Sequence, residues 1–454
     1  MKTIRLCALL AAAFSSQAFA QTQAKNVIFF LGDGMGPTTI TAARIYKVKE
    51  EGLLNFERLD RTARIKTYSA DAMVTDSAPS MGAYMTGVKI NNDVISLKDA
   101  KPQSPGKDAN GNPTVDRCGE NNGSAPMTIL ELAKAKGKSV GAITTTELTH
   151  ATPASTFAHV CNRNTVYTIA QQIVPGGAGY NARLKDGVDV LMGGGRPHFT
   201  PFDAAANPKG RADGRDLLAE FKARGYFVAA TRADMMSALP NRKFVGIYAD
   251  SHLDYASVRK PTQPTLAEMT VKSIELLSKN PNGFFLMVEG GKIDHALHDS
   301  NAKNALEEVV DFDNAIQTAL DRMRQIDPGL EHTLIVVTAD HDHTMVMNGY
   351  PKRGNPILGI VRDASGQPAL DADGKTYTTL VYGGGPNRQE VRANVDDARA
   401  QALDYKQEAG VRLSGEGHGG GDVKLYAAGA GSAPFKGTIE NTRVFELMKA
   451  AAGL

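Results

Sequence analysis

The chain has 454 residues, 42% hydrophobic and 22% charged, with 45 glycines, 21 prolines, three cysteines and no tryptophan. That length and composition fit one large folded domain with insertions, or two to three ordinary domains, and exclude a disordered, collagenous or disulfide-scaffold chain. The formal net charge is only +2 and includes Lys2 and Arg5 of a predicted leader, so the rest is neutral, which argues against a nucleic-acid partner or a polybasic membrane patch.

Residues 1–20 read as a cleavable secretory signal. Lys2 and Arg5 supply the charged start, 6–14 the apolar stretch, and Ala18-Phe19-Ala20 the small-x-small cleavage site. Cleavage there opens the mature chain at Gln21, removes Cys7, and predicts a periplasmic or secreted protein. No apolar run approaches the roughly 20 residues of a membrane span. Short apolar, β-branched runs without alternation lie at 26–31, 139–144, 188–192, 244–249, 283–288, 334–338 and 423–427, which predicts strands buried on both faces. Amphipathic stretches over 127–136, 216–224, 266–279 and 304–326 predict helices between them. The alternation gives an α/β fold, a three-layer sandwich whose central, mostly parallel sheet is flanked by helices. Two segments, about 91–126 and 348–415, are rich in Asn, Asp, Gly and Pro or in Gly, Pro and charge, and read as insertions on one domain spanning 21–454. Of the cysteines that remain, Cys118 and Cys161 form an even pair, which in an exported chain suggests a disulfide. Two free thiols are the alternative at this point.

The residues just beyond the strands carry the chemistry. The first strand ends in Gly32-Asp33-Gly34, the strand at 283–288 in Glu289-Gly290-Gly291, and the strand at 334–338 in Asp340-His341-Asp342-His343; the strand from Ser139 runs on to Thr146, Glu147, His150 and Thr152. Ligands of open α/β sheets sit beyond the carboxyl ends of the strands, so these groups should converge on one crevice. A single strand-end Asp is commonly a helix cap; four such ends with oxygen or imidazole donors point to metal. Asp294 and His298, spaced i,i+4, fall on one face of a helix, and His418 sits in a glycine run, Gly417 to Gly421. Asp33, Thr152, Glu289, Asp294, His298, Asp340, His341 and His418 are too many donors for one tetrahedral ion. Mixed Asp/His sets suit zinc, and a carboxylate–hydroxyl set suits magnesium. Ser77, at the start of a predicted helix after Thr75-Asp76, is either a simple N-cap or a nucleophile held where backbone N–H groups favour an anion.

Other readings fail. There is no G-x-S-x-G elbow. Gly137-Lys138-Ser139 lacks the upstream glycine of a P-loop, with Leu132 in its place. Asp250-Ser251-His252 cannot relay a proton as a triad does. Asp108-Ala109-Asn110-Gly111-Asn112 and Asp371-Ala372-Asp373-Gly374 lack the distal Glu of a calcium loop and read as turns.

Leu31-Gly32-Asp33-Gly34-Met35-Gly36, Thr75-Asp76-Ser77-Ala78, Val288-Glu289-Gly290-Gly291-Lys292-Ile293-Asp294, Thr338-Ala339-Asp340-His341, Gly417-His418-Gly419, and the stretch from Ala151 to Val160 with Arg163 resemble the alkaline phosphatase family in order and spacing. The resemblance runs from about Asn26 to Thr438. It implies hydrolysis of small phosphate monoesters at alkaline pH through a phosphoserine on Ser77. It further implies one zinc on Asp294, His298 and His418, a second on Asp33, Asp340 and His341, and a magnesium on Glu289, Thr152 and the other oxygen of Asp33. Arg163 would grip two phosphate oxygens in a fork. His150 and His295 stand where the enterobacterial form has Asp and Lys; both look like the animal and marine-bacterial members, and both fall beside the expected phosphate and third metal. The 348–415 segment corresponds to a crown-like insertion near the dimer interface of the family, so a homodimer is implied. The superfamily's sulfatases carry a C/S-x-P-x-R motif that Ser77-Ala78-Pro79-Ser80-Met81 lacks. A phosphodiesterase usually has a Thr nucleophile, and an exported metal- or phosphate-binding protein would have no need of Ser77.

Overall fold

The unalternating apolar runs become strands with both faces covered. A computed structural model describes residues 23–107, 111, 118, 121–240 and 242–454. The leader expected over 1–20 and most of the turn expected from Asp108 to Asn112 lie outside the described residues, as does part of the 91–126 segment.

Ten strands, β1 (Asn26–Gly32), β2 (Arg61–Lys66), β3 (Ser139–Glu147), β4 (Val190–Gly194), β5 (Phe227–Ala229), β6 (Phe244–Ile247), β7 (Phe284–Gly290), β8 (Thr333–Thr338), β9 (Val423–Gly429) and β10 (Gly437–Glu440), form one sheet. Their spatial order is β10-β2-β9-β8-β1-β7-β3-β4-β6-β5. Every neighbouring pair is parallel except those of β9, which runs antiparallel to both β8 and β2. Successive side chains of β1 mark the two faces. Phe29 meets Tyr84 of the helix Ser77–Thr86 at 5.6 Å between ring centroids, whereas Phe30 meets Phe312 of the helix Ala302–Ile326 at 6.1 Å. Helices Leu266–Leu277 and Ala302–Ile326 therefore cover one face, and Ser77–Thr86, Ile129–Ala135, Ala151–Phe157 and Asn441–Ala452 the other. This is the expected three-layer sandwich.

The strands that sequence reading passes over are β2, β5 and β10. β5 and β10 are three and four residues long at the two edges of the sheet. β2 buries only Ala63 and Ile65, its charged residues facing outward, so no apolar run announces it. The segment 348–415 contributes Leu380–Gly385 and Ala409–Arg412 to a separate three-stranded sheet with Met345–Met347. Asp371 accepts from the backbone of Asp373 and Lys375, a turn as expected. Among the described residues no helix is long and apolar enough to cross a membrane.

Cys118 and Cys161 form a disulfide with 5.5 Å between Cα atoms, closing a loop of sequence separation 43. Loop-closure entropy for that separation amounts to about 4 kcal/mol. Reduction, or Cys118→Ala, should accordingly lower the denaturant midpoint measurably; an unchanged midpoint would mean that the bridge constrains nothing in the unfolded chain.

Glu308 on the long covering helix is buried, accepts from the backbone N–H of Ala256 at 2.6 Å and lies 3.7 Å from the Arg259 guanidinium. Burial pushes its carboxyl up from 4.5 to about 7, Arg259 opposing and Asp311 adding to the rise. Between those two pH values the folded state holds a proton that the unfolded state has lost, so stability falls as pH rises, by at most roughly 3 kcal/mol, and is then flat. Glu308→Gln should match the parent in thermal midpoint near pH 5 and exceed it near pH 9. Parallel pH profiles for the two proteins would contradict this.

Candidate active site

The carboxyl ends of β8, β1, β7 and β3, four adjacent strands, deliver the sequence-predicted residues to one crevice. Asp33 follows β1 and is fully buried; Gly34 then turns the chain with φ +66°. A side chain at Gly34 would be strained and would lie 2.5 Å from the His343 ring, so glycine lets that imidazole approach. The Gly34 N–H donates to Asp340 Oδ1 at 3.0 Å, joining the ends of β1 and β8.

Ser77 opens the helix Ser77–Thr86. Asp76 caps that helix by accepting from the Ala78 N–H at 2.7 Å, and left-handed Gly87 ends it. The helix is buried throughout, which fixes the Ser77 hydroxyl. Ser77 Oγ lies 3.3 Å from Asp33 Oδ1 and 3.3 Å from His341 Nε2. Asp76 also accepts from Arg163 Nη1 at 3.0 Å, so one carboxylate sets both the serine-bearing helix and the arginine.

The donors fall into three groups whose ligand atoms lie within 4.8 Å of one another. They are Asp294, His298, His343 and His418; Asp33, Asp294 and His341; and Asp33, His150 and Glu289. Asp340 Oδ2 lies 3.5 Å from His341 Nε2 and so belongs with the second. Asp294 and His298 occupy the helix Lys292–His298, and His418 reaches the crevice from a two-residue strand, His418–Gly419, paired with Asp342–His343. Around Asp294 Oδ1 stand His343 at 2.8 Å, His298 at 3.3 Å and His418 at 3.5 Å. His298 Nδ1 is taken by the Glu416 carbonyl and His418 Nδ1 by that of Thr75, which turns both Nε2 atoms, 3.1 Å apart, to the site.

These groups fit cations. Asp33 Oδ2, Asp340 Oδ2, Glu289 Oε1 and Thr152 Oγ1 are buried with no hydrogen-bond partner, and such orphans are costly unless something satisfies them. Burial pushes the Asp33 carboxyl well above the usual range, with Asp340, Asp294 and Glu289 adding repulsion. Burial likewise raises Glu289 to about 7, although the Thr144 hydroxyl donates to it, and raises Asp340 to about 6. At Asp294 burial is outweighed by bonds from His298, His343 and His418, which hold the carboxyl well below its ordinary value.

His150 Nε2 faces Arg163 Nη2 at 3.1 Å. Since guanidinium only donates, Nε2 accepts and Nδ1 carries the proton; that nitrogen is buried without a partner. His295 stacks edge-on to His252 at 4.3 Å and to His150 at 5.5 Å between centroids, with Lys292 Nζ 3.5 Å from its Nδ1. Burial is the main reason that all three imidazoles titrate low, His295 near 4 and His252 near 3.

The residues singled out from the sequence thus meet here. Three contacts were not foreseen: Asp76 with Arg163, His343 with Asp294, and Glu416 with His343. Both nitrogens of His343 face carboxylates, Asp294 and Glu416. Burial works against its charge, but the two bonds raise its pKa to about 9.

The sequence profile of the family described as Alkaline phosphatase matches residues 24–454. The alkaline phosphatase of Gadus morhua is 36% identical over 475 aligned residues, covering 97% of this chain and 94% of that protein. A cold-active alkaline phosphatase from the psychrophile Shewanella sp. has a solved structure 28% identical, covering 94% of this chain and 99% of that one with a TM-score of 0.67. The TAB5 alkaline phosphatase, in a histidine-to-aspartate variant with magnesium bound in its M3 site, is 25% identical with a TM-score of 0.66, covering 95% of this chain and 99% of that one.

Proposed function

The chain belongs to the alkaline phosphatase family of phosphate-monoester hydrolases, and from that premise we propose how its own residues divide the work. Ser77 is the nucleophile. Its Oγ bonds to phosphorus as the alcohol departs, and water then releases phosphate from the phosphoserine. The observation that carries this reading is the position of Ser77 Oγ, 3.3 Å from both Asp33 Oδ1 and His341 Nε2, inside a crevice of orphaned carboxylates.

Asp294, His298 and His418 hold one zinc, and Asp33, Asp340 and His341 a second, because mixed carboxylate and imidazole donors suit that ion. Glu289, Thr152 and the second oxygen of Asp33 offer oxygen alone and hold magnesium; the buried, unpartnered Glu289 Oε1, Thr152 Oγ1 and Asp33 Oδ2 support a third site in that corner. When bound, the ions supply Lewis acidity for the attacking and leaving oxygens and neutralise a dianionic phosphoryl group. Arg163 forks onto two phosphoryl oxygens, held for that purpose by Asp76 on one side and His150 on the other. His295 lines the same corner and binds the substrate phosphate.

Export with leader cleavage at residue 20 to the periplasm or the medium is supported by the disulfide, which needs an oxidising compartment. A homodimer is supported by apolar side chains on the 348–415 segment that face solvent in the single chain, among them Tyr350, Val391, Val411 and Leu413.

The direct test is acid quenching of the enzyme with labelled phosphate, followed by peptide mapping. Label on Ser77 carries the proposal; label elsewhere, or none while p-nitrophenyl phosphate is being turned over, overturns it. Light scattering on the same sample gives the oligomeric state.

A further inference from the structure

The carboxylate of Glu416 is buried, its residue 3% exposed, and is bound by no lysine or arginine among the described residues. Its oxygens are nevertheless fully used. Oε2 accepts from His343 Nδ1, and Oε1 accepts from both the N–H (2.7 Å) and the hydroxyl of Thr344. The main chain of the same residue clasps His298 twice: the Glu416 N–H donates to the His298 carbonyl at 2.9 Å, and the Glu416 carbonyl accepts from His298 Nδ1 at 2.6 Å. His343 carries the carboxylate's hold onward through Nε2 to Asp294 Oδ1, 2.8 Å away. His418 comes two residues later on the strand paired with Asp342–His343.

Asp294 and His298 therefore lead back by hydrogen bonds to one residue, and His418 by its place two positions along the chain, whereas no hydrogen bond runs from Glu416 to Asp33, Asp340 or His341. The connection also extends outward. The Thr344 hydroxyl, having donated to Glu416, accepts from the Gly383 N–H at 3.2 Å on the strand Leu380–Gly385 of the 348–415 segment.

On the reading that Asp294, His298 and His418 hold zinc, we propose that Glu416 is a positioning residue of that site, with a lesser hold on the neighbouring one because Asp294 also faces Asp33 and His341. It aims His298 through its carbonyl and pins Asp294 through His343. Partners of this kind fix ring orientation and ligand basicity, and losing one typically costs 10–100-fold in metal affinity.

The test is Glu416→Gln in the full, zinc-loaded protein. The amide keeps an acceptor for Thr344 but places an NH2 donor where His343 needs an acceptor. Zinc release is monitored by competition with a chromophoric chelator, beginning with the parent. The expected result is a 10–100-fold weakening of one of two tight zincs, the other within twofold, with kcat restored by added zinc. Unchanged zinc affinity with a lowered thermal midpoint would make Glu416 a mere strut, and equal weakening of both zincs would remove its selectivity; either overturns the proposal. Should Glu416→Gln not fold, His343→Gln must show the same selective loss. A parent with fewer than two tight zincs overturns the zinc reading itself, a failure distinct from a variant that behaves as its parent does.

Discussion

Ser77→Ala should hydrolyse p-nitrophenyl phosphate at least about 10³-fold more slowly than the parent at alkaline pH, with its fold and metal content intact. The direct loss is the covalent route itself, since alanine has no oxygen to attack phosphorus. The surroundings of Ser77 explain why the loss should fall on kcat. Its Oγ is 3.3 Å from Asp33 Oδ1 and from His341 Nε2, but the helix that carries it is capped by Asp76 and buried along its length. Removing one hydroxyl should leave that helix, Arg163 and the metal donors where they are. Phosphate binding, read as product inhibition, should therefore survive. Two results would contradict the assignment: activity within tenfold of the parent, or activity lost together with bound metal.

Chelation should abolish activity, and zinc should restore it where magnesium alone does not. The reason lies in the donor sets rather than in any one residue. Asp33 and Asp294 are each shared between two donor groups, and Asp340 and Glu289 are buried beside them. So much buried carboxylate needs cations at short range, and in a chain without net positive charge to spare, bound ions must supply them. Ions that bind only the folded state also stabilise it, by about 4 kcal/mol for each site held at 1,000 times its Kd. Chelation should thus lower the thermal midpoint as well as the rate. Full activity after exhaustive dialysis against a chelator would remove metals from the account, and recovery with magnesium alone would reassign the two mixed sites.

Strands buried on both faces were legible because their runs carry no alternation, and the site was legible where chemistry comes directly after such a run, as at Asp33, Glu289 and Asp340-His341. The i,i+4 pair Asp294 and His298 could be read from helical geometry. The interactions that escaped are those made across the chain. Asp76 meets Arg163, and Glu416 meets His343 and His298, through spatial neighbours that no local spacing encodes. A signal for His343 did exist: it lies two residues beyond His341, the period at which an extended chain returns to one side. The charged strand β2 escaped for a different reason, since a sheet margin with one covered face imposes only two buried residues on its sequence.

The reversed strand β9 has a consequence for the order in which this molecule comes into being. Residues 61–66 are translated early, yet their sheet neighbours are 423–429 and 437–440. His418 lies immediately upstream of those late arrivals. For most of synthesis a nascent chain would hold an unmatched β2 and a crevice short of a ligand, and pairings this distant form slowly. A ribosome that stops before residue 418 leaves the crevice without one of its ligands, so hydrolysis itself reports that synthesis passed that residue.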